Sequence, residues 1–319
     1  MLRSNQLSYI TLNNFMANCH EADEASHQAH NSTHKFDEKS PPRRKKTQMF
    51  SKNSKNETFT QAAQVIWELW QSGQTRQALP ETCKPLTALQ GYQAQAQLPM
   101  VSGLAVVGWK IAATSSNGQA HINVSSPLAG RLLSGQVFAS GACVPSKGNR
   151  MRVAEPEFAF TMGQDLAPQT APYSLEQVMA AVATLHPAIE VPDSRLEPFT
   201  QAGEAQLLAD NACARHFVLG PTAPEGWQNS DLSQHEVQAQ VLQGERIRYS
   251  RTGSGAWVLG DPRTALTWLV NQLSSLGITL HKGQVVTTGT CMVPLELESG
   301  DSAWADFGNL GQVSMHFSV

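Results

Sequence analysis

The chain has 319 residues, of which 41% are hydrophobic, so it is long and apolar enough for one large domain or two small ones with a buried core. Its net charge of −3 is unevenly spread. Residues 1–56 hold nine Lys and Arg against five Asp and Glu, which leaves residues 57–319 with a net charge of −7. An acidic globular part argues against nucleic-acid binding, which depends on basic contacts to phosphates. Since no apolar run approaches the roughly 20 residues that span a bilayer, we do not expect a membrane protein either.

The cysteines are dispersed along the chain and none forms a Cys-x-x-Cys pair (Cys19, Cys83, Cys143, Cys213 and Cys291). An odd, scattered set is typical of reduced thiols and not of a disulfide framework. The N-terminus also lacks the apolar segment of a secretory signal peptide. We therefore expect a cytoplasmic protein.

Residues 1–57 are rich in Asn, Ser, His and Lys and show no sustained apolar period, so they are predicted to form a disordered N-terminal extension. Its histidines are expected to bind a metal at most adventitiously (His20, His27, His30 and His34). Apolar spacing predicts a small helical layer over residues 58–100. One helix is predicted to be capped by Thr58 or Thr60, and a second to cover residues 85–98.

Residues 101–319 are predicted to form the catalytic domain. A capping box at Ser174 begins a helix whose apolar spacing continues to Leu185, and a second helix runs from Asp261 to Gly277. The predicted strands are 104–114, 152–161, 188–191, 216–219, a hairpin over 236–251 that turns at Gly244, 284–288, 303–307 and 312–319. Strands dominate and helical crossovers are rare, which predicts a mixed, largely antiparallel α+β fold.

Three carboxylates lie in two short strand segments, with Glu155 and Glu157 in the first and Glu190 in the second. Because side chains alternate along a strand, Glu155 and Glu157 point to the same face. Like charges this close repel unless a cation lies between them, and an oxygen-only set suits Mg²⁺ or Mn²⁺ better than Zn²⁺. Solvated carboxylates on the surface of a strand are the alternative interpretation. Pro156 indicates a strand edge or a bulge, which is compatible with both.

Lys110 lies within an apolar strand segment, between Trp109 and Ile111. A buried ammonium is costly unless it is paired, so one interpretation places Lys110 against the carboxylates, where it acts on a substrate or donates a proton. The other places it on the solvent face of an edge strand. Burial would lower the pKa of Lys110 and carboxylates would raise it, so its resting protonation state stays open at this point.

Other segments carry weaker signals. Asp210-Asn211 follows an apolar, helix-like stretch and is either a capping pair or a substrate contact. The segments 253–255 and Gly289-Thr290 are turn-forming, and neither fits a Walker P-loop, which needs Lys-Ser/Thr after its last glycine. The chain also contains no Gly-x-Ser-x-Gly nucleophile elbow.

Seven motifs follow one another between about residue 60 and the C-terminus. They are Gly-Trp-Lys-Ile-Ala-Ala-Thr (108–114), Ala-Glu-Pro-Glu-Phe-Ala-Phe (154–160), Pro-Ala-Ile-Glu-Val-Pro-Asp-Ser-Arg (187–195), Leu-Ala-Asp-Asn-Ala (208–212), Val-Leu-Gly-Asp-Pro (258–262), Val-Thr-Thr-Gly-Thr (286–290) and Ala-Asp-Phe-Gly-Asn-Leu-Gly-Gln-Val-Ser (305–314). Each is weak alone, but seven in this order are specific. Together they resemble the 2-keto-4-pentenoate hydratase and 4-oxalocrotonate decarboxylase group of the fumarylacetoacetate hydrolase superfamily.

The resemblance implies a mixed β-roll and homo-oligomeric assembly. It also implies that Glu155, Glu157 and Glu190 ligate Mg²⁺ or Mn²⁺ and that Lys110 lies in the pocket as the catalytic residue.

Ser125, Asn211 and Thr290 are predicted to bind the substrate. Many relatives carry an Asp where this chain has Ser125, and that Asp is a candidate acid/base partner of the lysine. Serine cannot hold the charge at neutral pH, so Ser126 or water substitutes for it, or the activity differs. Relatives also often have a serine where Cys213 stands.

The expected activity is hydration of a 2-hydroxy-2,4-dienoate to a 4-hydroxy-2-oxo acid. A 4-oxalocrotonate-type decarboxylase is the first alternative, because it needs the same site. A C–C hydrolase of acylpyruvate type is another, and it would need a His–Glu pair drawn from His121, His186 or His216. A non-catalytic relative is the last. A pathway decarboxylase or aldolase is a conceivable protein partner.

Overall fold

A long helix, α1 (Phe50–Ser72), is the first element of the computed structural model, which describes the backbone of residues 50–319 and the side chains from residue 56 onward. The prediction that Thr58 or Thr60 caps this helix is wrong. The helix begins at Phe50, so both threonines lie inside it. No Pro or Gly lies between Phe50 and Thr60, so no residue in this segment interrupts the helix. The boundary predicted at residue 57 thus falls within a helix. The disorder predicted for residues 1–49 and the four histidines considered there lie outside the described residues.

The predicted second helix is two short ones, α2 (Ala88–Gln95) and α3 (Leu98–Ser102). The Thr87 side chain caps α2 by accepting a hydrogen bond from the backbone N–H of Gln90. Pro99 favours the first turn of a new helix, because a proline there lacks only an N–H that would be unpaired anyway.

The remaining elements are mostly strands, with four α-helices among them. In chain order the strands are β1 (Val106–Ala112), β2 (Leu128–Leu133), β3 (Val137–Ala139), β4 (Ala142–Val144), β5 (Val153–Met162), β6 (Val182–Val191), β7 (His216–Leu219), β8 (Glu236–Gln243), β9 (Arg246–Ser254), β10 (Val285–Thr290), β11 (Leu295–Glu296), β12 (Asp301–Asp306) and β13 (Gln312–Phe317). The helices are α4 (Ser116–His121), α5 (Leu175–Ala180), α6 (Glu204–Ala209) and α7 (Pro262–Ser275). Within residues 50–319, no helix is both long enough and apolar enough to cross a bilayer.

These strands form two sheets. The large sheet has the order β2-β1-β10-β5-β6-β7-β3, with β11 also paired to β5, and the small sheet has the order β4-β13-β12-β8-β9. The pairs β1–β10, β3–β7 and β4–β13 are parallel, whereas the other described pairs are antiparallel. The mixed, largely antiparallel α+β roll is therefore confirmed.

One helix is shorter than its apolar spacing predicts. The capping box at Ser174 is present, but α5 ends at Ala180 and not at Leu185. Leu185 instead pairs with Phe160 across β5 and β6. Pairing with a neighbouring strand outweighed the local helical period, which alone cannot distinguish the two outcomes.

The cores lie on both faces of the large sheet. The main core joins the two sheets and α7, and in it Phe158 and Phe307 stack edge to face with their centroids 5.0 Å apart. A smaller apolar cluster lies on the opposite face and includes Ala159 and Ala188. By strand alternation, this second face also carries the glutamates at 155, 157 and 190.

Candidate metal centre and active site

The three glutamates converge on one point of the large sheet. Glu155 is paired directly with Glu190 across β5 and β6, and Glu157 lies two residues further along the same face of β5. One ligand oxygen from each carboxylate lies within 4.8 Å of the others. Glu157 and Glu190 are fully buried, whereas Glu155 is half-buried. The cluster thus has two enclosed carboxylates and one nearer the solvent.

A bulge in β10 supports Glu157. The ladder between β5 and β10 shifts by one residue between Thr287 and Thr290. Within the bulge, the backbone N–H of Gly289 donates to Glu157 Oε2 at 2.7 Å, and the Thr287 hydroxyl donates to the same oxygen. The φ of Gly289 is 98°, a value that other residues rarely adopt. The extra residue lies on β10 and not at Pro156, which pairs with Ile189 in the regular ladder of β5 and β6.

Lys110 approaches the cluster from β1, where it pairs with Gly130 of β2 and with Thr287 of β10. Its side chain is buried, and Nζ lies 3.3 Å from Glu190 Oε2. Nζ also donates a hydrogen bond to the carbonyl oxygen of Ala212 at 3.2 Å. The ammonium is therefore paired inside the protein, and it faces the carboxylates.

Burial and mutual repulsion dominate the electrostatics of the cluster. Burial, and then the charge of Glu155, raise the pKa of Glu157, although Lys110 and the donors on β10 oppose the shift. Burial raises the pKa of Glu190 well above its ordinary range, despite the opposing effect of Lys110. Burial lowers the pKa of Lys110, but attraction to Glu190 and Glu155 outweighs this and leaves it raised. These shifts favour the protonated form of Lys110 and oppose ionisation of Glu157 and Glu190, so a bound cation would favour release of protons from the two carboxyl groups.

The oxygens that remain unpaired fit a hard cation. Glu157 Oε1 and both carboxylate oxygens of Glu190 are buried without a hydrogen-bond donor among the described residues. The contact from Lys110 to Glu190 is an ion pair by distance, but it lacks hydrogen-bond geometry. Unsatisfied buried carboxylate oxygens are unfavourable, and Mg²⁺ or Mn²⁺ would satisfy them. The donor set therefore fits such an ion.

The three residues expected at the substrate have different surroundings. Ser125 is exposed in the loop between α4 and β2. Asn211 is fully buried, and both polar atoms of its amide bond the backbone of Arg131. Thr290 pairs with Glu157 in the β10–β5 ladder, and its hydroxyl donates to the carbonyl oxygen of Met292 at 2.9 Å.

The histidines considered for a hydrolase do not join the glutamates. His216 pairs with Val191 and therefore projects from the face opposite Glu190. His186 shares the face of Glu190, but it is four residues away, about 13 Å along the strand. Its ring bonds Thr161, Thr184 and the carbonyl oxygen of Gly220. His121 is exposed at the end of α4.

Sequence reasoning missed the groups that support the cluster. The hydroxyl of Thr287 and the N–H of Gly289 hold Glu157, and the carbonyl oxygen of Ala212 holds Lys110. The threonine lies inside the motif Val-Thr-Thr-Gly-Thr, where a glycine in a strand indicates a bulge or a close backbone approach. That glycine was a usable signal, whereas the carbonyl of Ala212 has no signature in the sequence.

Several known proteins are similar to this chain in sequence. A 2-keto-4-pentenoate hydratase of Burkholderia vietnamiensis (strain G4 / LMG 22486) is 30% identical over 268 residues, which cover 83% of this chain and 99% of that protein. A 2-keto-4-pentenoate hydratase of Paraburkholderia xenovorans (strain LB400) is 29% identical over 262 residues, which cover 81% of this chain and 94% of that protein. No model of a known protein family matches the chain.

Among solved structures, 4-oxalocrotonate decarboxylase from Pseudomonas putida G7, complexed with magnesium and adipate, has the same fold. Its TM-score is 0.72 at 24% identity, and the match covers 82% of this chain and 97% of that one. The motifs, the fold and the relatives agree. The chain belongs to the 2-keto-4-pentenoate hydratase family, a group of hydro-lyases.

Proposed function

We propose that this chain is a divalent-metal-dependent hydratase that adds water to a 2-hydroxy-2,4-dienoate and yields a 4-hydroxy-2-oxo acid. The observation that carries the proposal is the cluster itself. Three carboxylates lie with their ligand atoms within 4.8 Å of one another, and the ammonium of Lys110 is 3.3 Å from Glu190. The names of the relatives support hydration, and the unpaired oxygens of the cluster support a metal.

In this proposal Glu155, Glu157 and Glu190 hold Mg²⁺ or Mn²⁺. A bound ion would supply Lewis-acid polarisation of the 2-oxo acid group of the substrate. The hydrogen bonds from Thr287 and Gly289 fix the orientation of Glu157, which keeps the ligand oxygens in place.

Lys110 is the proposed catalytic residue. Its buried ammonium is held by Ala212, so one of its N–H groups can face the substrate. It relays the proton of the C2 hydroxyl to C5 of the dienol, so that the O–H bond at C2 breaks, a C–H bond at C5 forms and the α,β-unsaturated ketone results, or it holds the substrate carboxylate. Water then adds at C4, and a proton at C3 completes the hydration, so the net change is the gain of one water molecule.

The direct test follows the ultraviolet absorbance of 2-hydroxypenta-2,4-dienoate with purified protein in Mg²⁺, in Mn²⁺ and after EDTA. We expect metal-dependent loss of the dienol and formation of 4-hydroxy-2-oxopentanoate. Glu157→Gln should abolish this activity and leave the fold intact. The exposed Glu176, replaced by Gln, is the matched control and should keep the activity. Full activity of Glu157→Gln would contradict the ligand assignment.

A decarboxylase of 4-oxalocrotonate type is the second candidate. The observation that favours it is the surroundings of Lys110. Within residues 56–319, the acidic cluster contains only the three glutamates, and Ser125, the position at which the family resemblance implies an Asp, is exposed. Decarboxylation needs the same chelate but no positioned water. Release of CO₂ from 4-oxalocrotonate, without hydration of the dienol, would select this function. In that case Ser125→Asp is the first substitution to test for a gain of hydration.

A further inference from the structure

The turn that follows α6 has an unusual backbone. Three consecutive non-glycine residues, Asn211, Ala212 and Cys213, have φ angles of 58°, 51° and 61°. L-residues normally visit this left-handed region singly, and Asn tolerates it better than Ala or Cys. All three residues are buried. Surrounding contacts must therefore hold the turn in this conformation.

The side chain of Asn211 supplies such contacts. Its Oδ1 accepts a hydrogen bond from the backbone N–H of Arg131 at 2.7 Å, and its Nδ2 donates to the carbonyl oxygen of Arg131 at 2.8 Å. The carboxamide thus pairs with β2 as one more peptide group would. On the other side of the turn, the N–H of Asp193 donates to the carbonyl oxygen of Cys213 at 2.9 Å.

The turn carries the carbonyl that binds Lys110. Ala212 O accepts the hydrogen bond from Lys110 Nζ at 3.2 Å. Gly130, the residue of β2 opposite Lys110, makes room for this approach. A methyl group added at Gly130 would lie 2.3 Å from Asn211 O and 3.3 Å from the β-carbon of Ala212. The absence of a side chain at Gly130 and the hydrogen bonds of the Asn211 carboxamide together allow the turn to contact Lys110.

We propose that Asn211 is a positioning residue that aims Lys110. Its carboxamide locks the left-handed turn against β2, and the turn then holds Nζ through Ala212 O. The consequence for turnover rests on the proposed function of Lys110, whereas the orientation of Nζ does not. This role differs from contact with the substrate, because both polar atoms of the amide are already bonded to Arg131.

Three variants test the proposal. Asn211→Ala removes both hydrogen bonds to Arg131, and alanine tolerates the left-handed backbone less well than asparagine does. Asn211→Gly removes the hydrogen bonds but permits the same backbone, so it also serves if the alanine variant does not fold. Asn271→Ala is the matched control. The amide of Asn271 likewise accepts a hydrogen bond from the N–H of Tyr173 at 2.7 Å and donates one to the carbonyl oxygen of Tyr173 at 3.1 Å. Asn271 lies on α7, which packs in the main core on the face of the large sheet opposite the glutamates.

We expect kcat to fall about a hundredfold in both Asn211 variants, the effect of a displacement near 1 Å in an active site. KM and the Kd for Mn²⁺ should stay close to those of the wild type, and Asn271→Ala should keep its kcat. A merely structural role would lower thermal stability in all three variants and spare kcat. Unchanged kcat in Asn211→Gly would therefore overturn the proposal.

Crystal structures of the Asn211 variants give a readout that does not depend on turnover. We expect the contact between Lys110 Nζ and Ala212 O to be lost. If that contact persists, the positioning role is refuted, whatever the kinetics. If the wild-type protein converts no dienoate, the proposed function fails, and loss of the contact in the variants still supports the positioning role.

Discussion

Glu155 and Glu190 are direct cross-strand neighbours on β5 and β6, so two carboxylates project side by side from one face of the sheet. Like charges in this arrangement destabilise a sheet, and the carboxylate of Glu157 lies close to both. A cation among them replaces repulsion by attraction. Since the unfolded chain does not assemble the three carboxylates, binding of the proposed metal would stabilise the folded state by mass action.

The first prediction concerns removal of the metal. At a free Mn²⁺ concentration of about 100 times Kd, the free energy of unfolding should rise by about 2.7 kcal/mol, and EDTA should reverse the gain. Glu190→Gln should show little of this increase. Thermal denaturation with and without Mn²⁺ measures it, with Glu176→Gln as a control. An equal metal-induced shift in Glu190→Gln would contradict the ligand assignment.

The second prediction concerns support of the cluster by Thr287. Replacing Thr287 by Val keeps the shape but removes the hydroxyl that donates to Glu157. The Kd for Mn²⁺ should rise by about 10- to 100-fold, because this is the usual effect on metal affinity of losing a residue that hydrogen-bonds a metal ligand. Isothermal titration calorimetry measures the change. Thr267→Val, which removes a hydroxyl bonded to the carbonyl of Arg263 on α7, should bind as the wild type does. Equal affinity in both variants would argue against this support.

The third prediction concerns Lys110. Lys110→Met keeps most of the side-chain volume but removes the charge and the proton donor. We expect the rate of dienol conversion to fall by about 10²- to 10⁴-fold, the usual contribution of a positioned acid or base. Binding of Mn²⁺ should persist or tighten, because a positive charge beside the ligands is lost. Steady-state kinetics and calorimetry measure both effects. The exposed Lys147, changed to Met, is the control, and a Lys110→Met enzyme as fast as that control would exclude a catalytic role.

The fourth prediction concerns stability at acid pH. Burial, and then repulsion from Arg215, lower the pKa of His216 to about 3. In an unfolded chain the pKa is near 6.5, so between these two values the unfolded state binds a proton that the folded state does not. The contribution of His216 to stability should therefore fall as the pH drops through this window, whereas the raised pKa values of Glu157 and Glu190 act in the opposite direction, so the effect of His216 is read from the difference between variant and wild type. The loss attributable to His216 between pH 7 and pH 5 is about 2 kcal/mol.

Urea denaturation at pH 7 and pH 5 measures this loss. His216→Gln should lose less stability over that interval than the wild type. The exposed His281, also changed to Gln, should leave the loss unchanged. A pH dependence in His216→Gln identical to that of the wild type would show that His216 does not cause it.

Local sequence patterns were sufficient for much of the fold and for the ligand candidates. Alternation along β5 put Glu155 and Glu157 on one face, and the apolar runs located β7 and β10. The pattern failed where an element is buried on all sides. Every residue of β2 is buried, so its sequence shows no alternation and the strand was not predicted. The helix predicted through Leu185 failed for a related reason, because pairing with β5 decided its conformation.

The support around the ligands could not be predicted for a different reason. Lys110 and Thr287 meet because β1 and β10 are parallel neighbours, and this pairing joins distant segments of the chain. The contact of Lys110 with Ala212 likewise depends on three left-handed residues that no propensity favours. Such contacts follow from strand register and loop conformation, which are properties of the whole fold.

Because β10 lies between β1 and β5 but follows both of them in the chain, the large sheet is completed only late in synthesis. The ribosome releases both neighbouring strands long before residues 285–290, although β10 separates them in the finished sheet. Until that strand inserts, Glu157 lacks its donors and Lys110 lacks one neighbouring strand. A nascent chain therefore carries all three ligand glutamates but not the geometry that holds them. Binding of the proposed metal would consequently require the completed chain, and truncated or stalled chains would not compete for the ion with the same affinity.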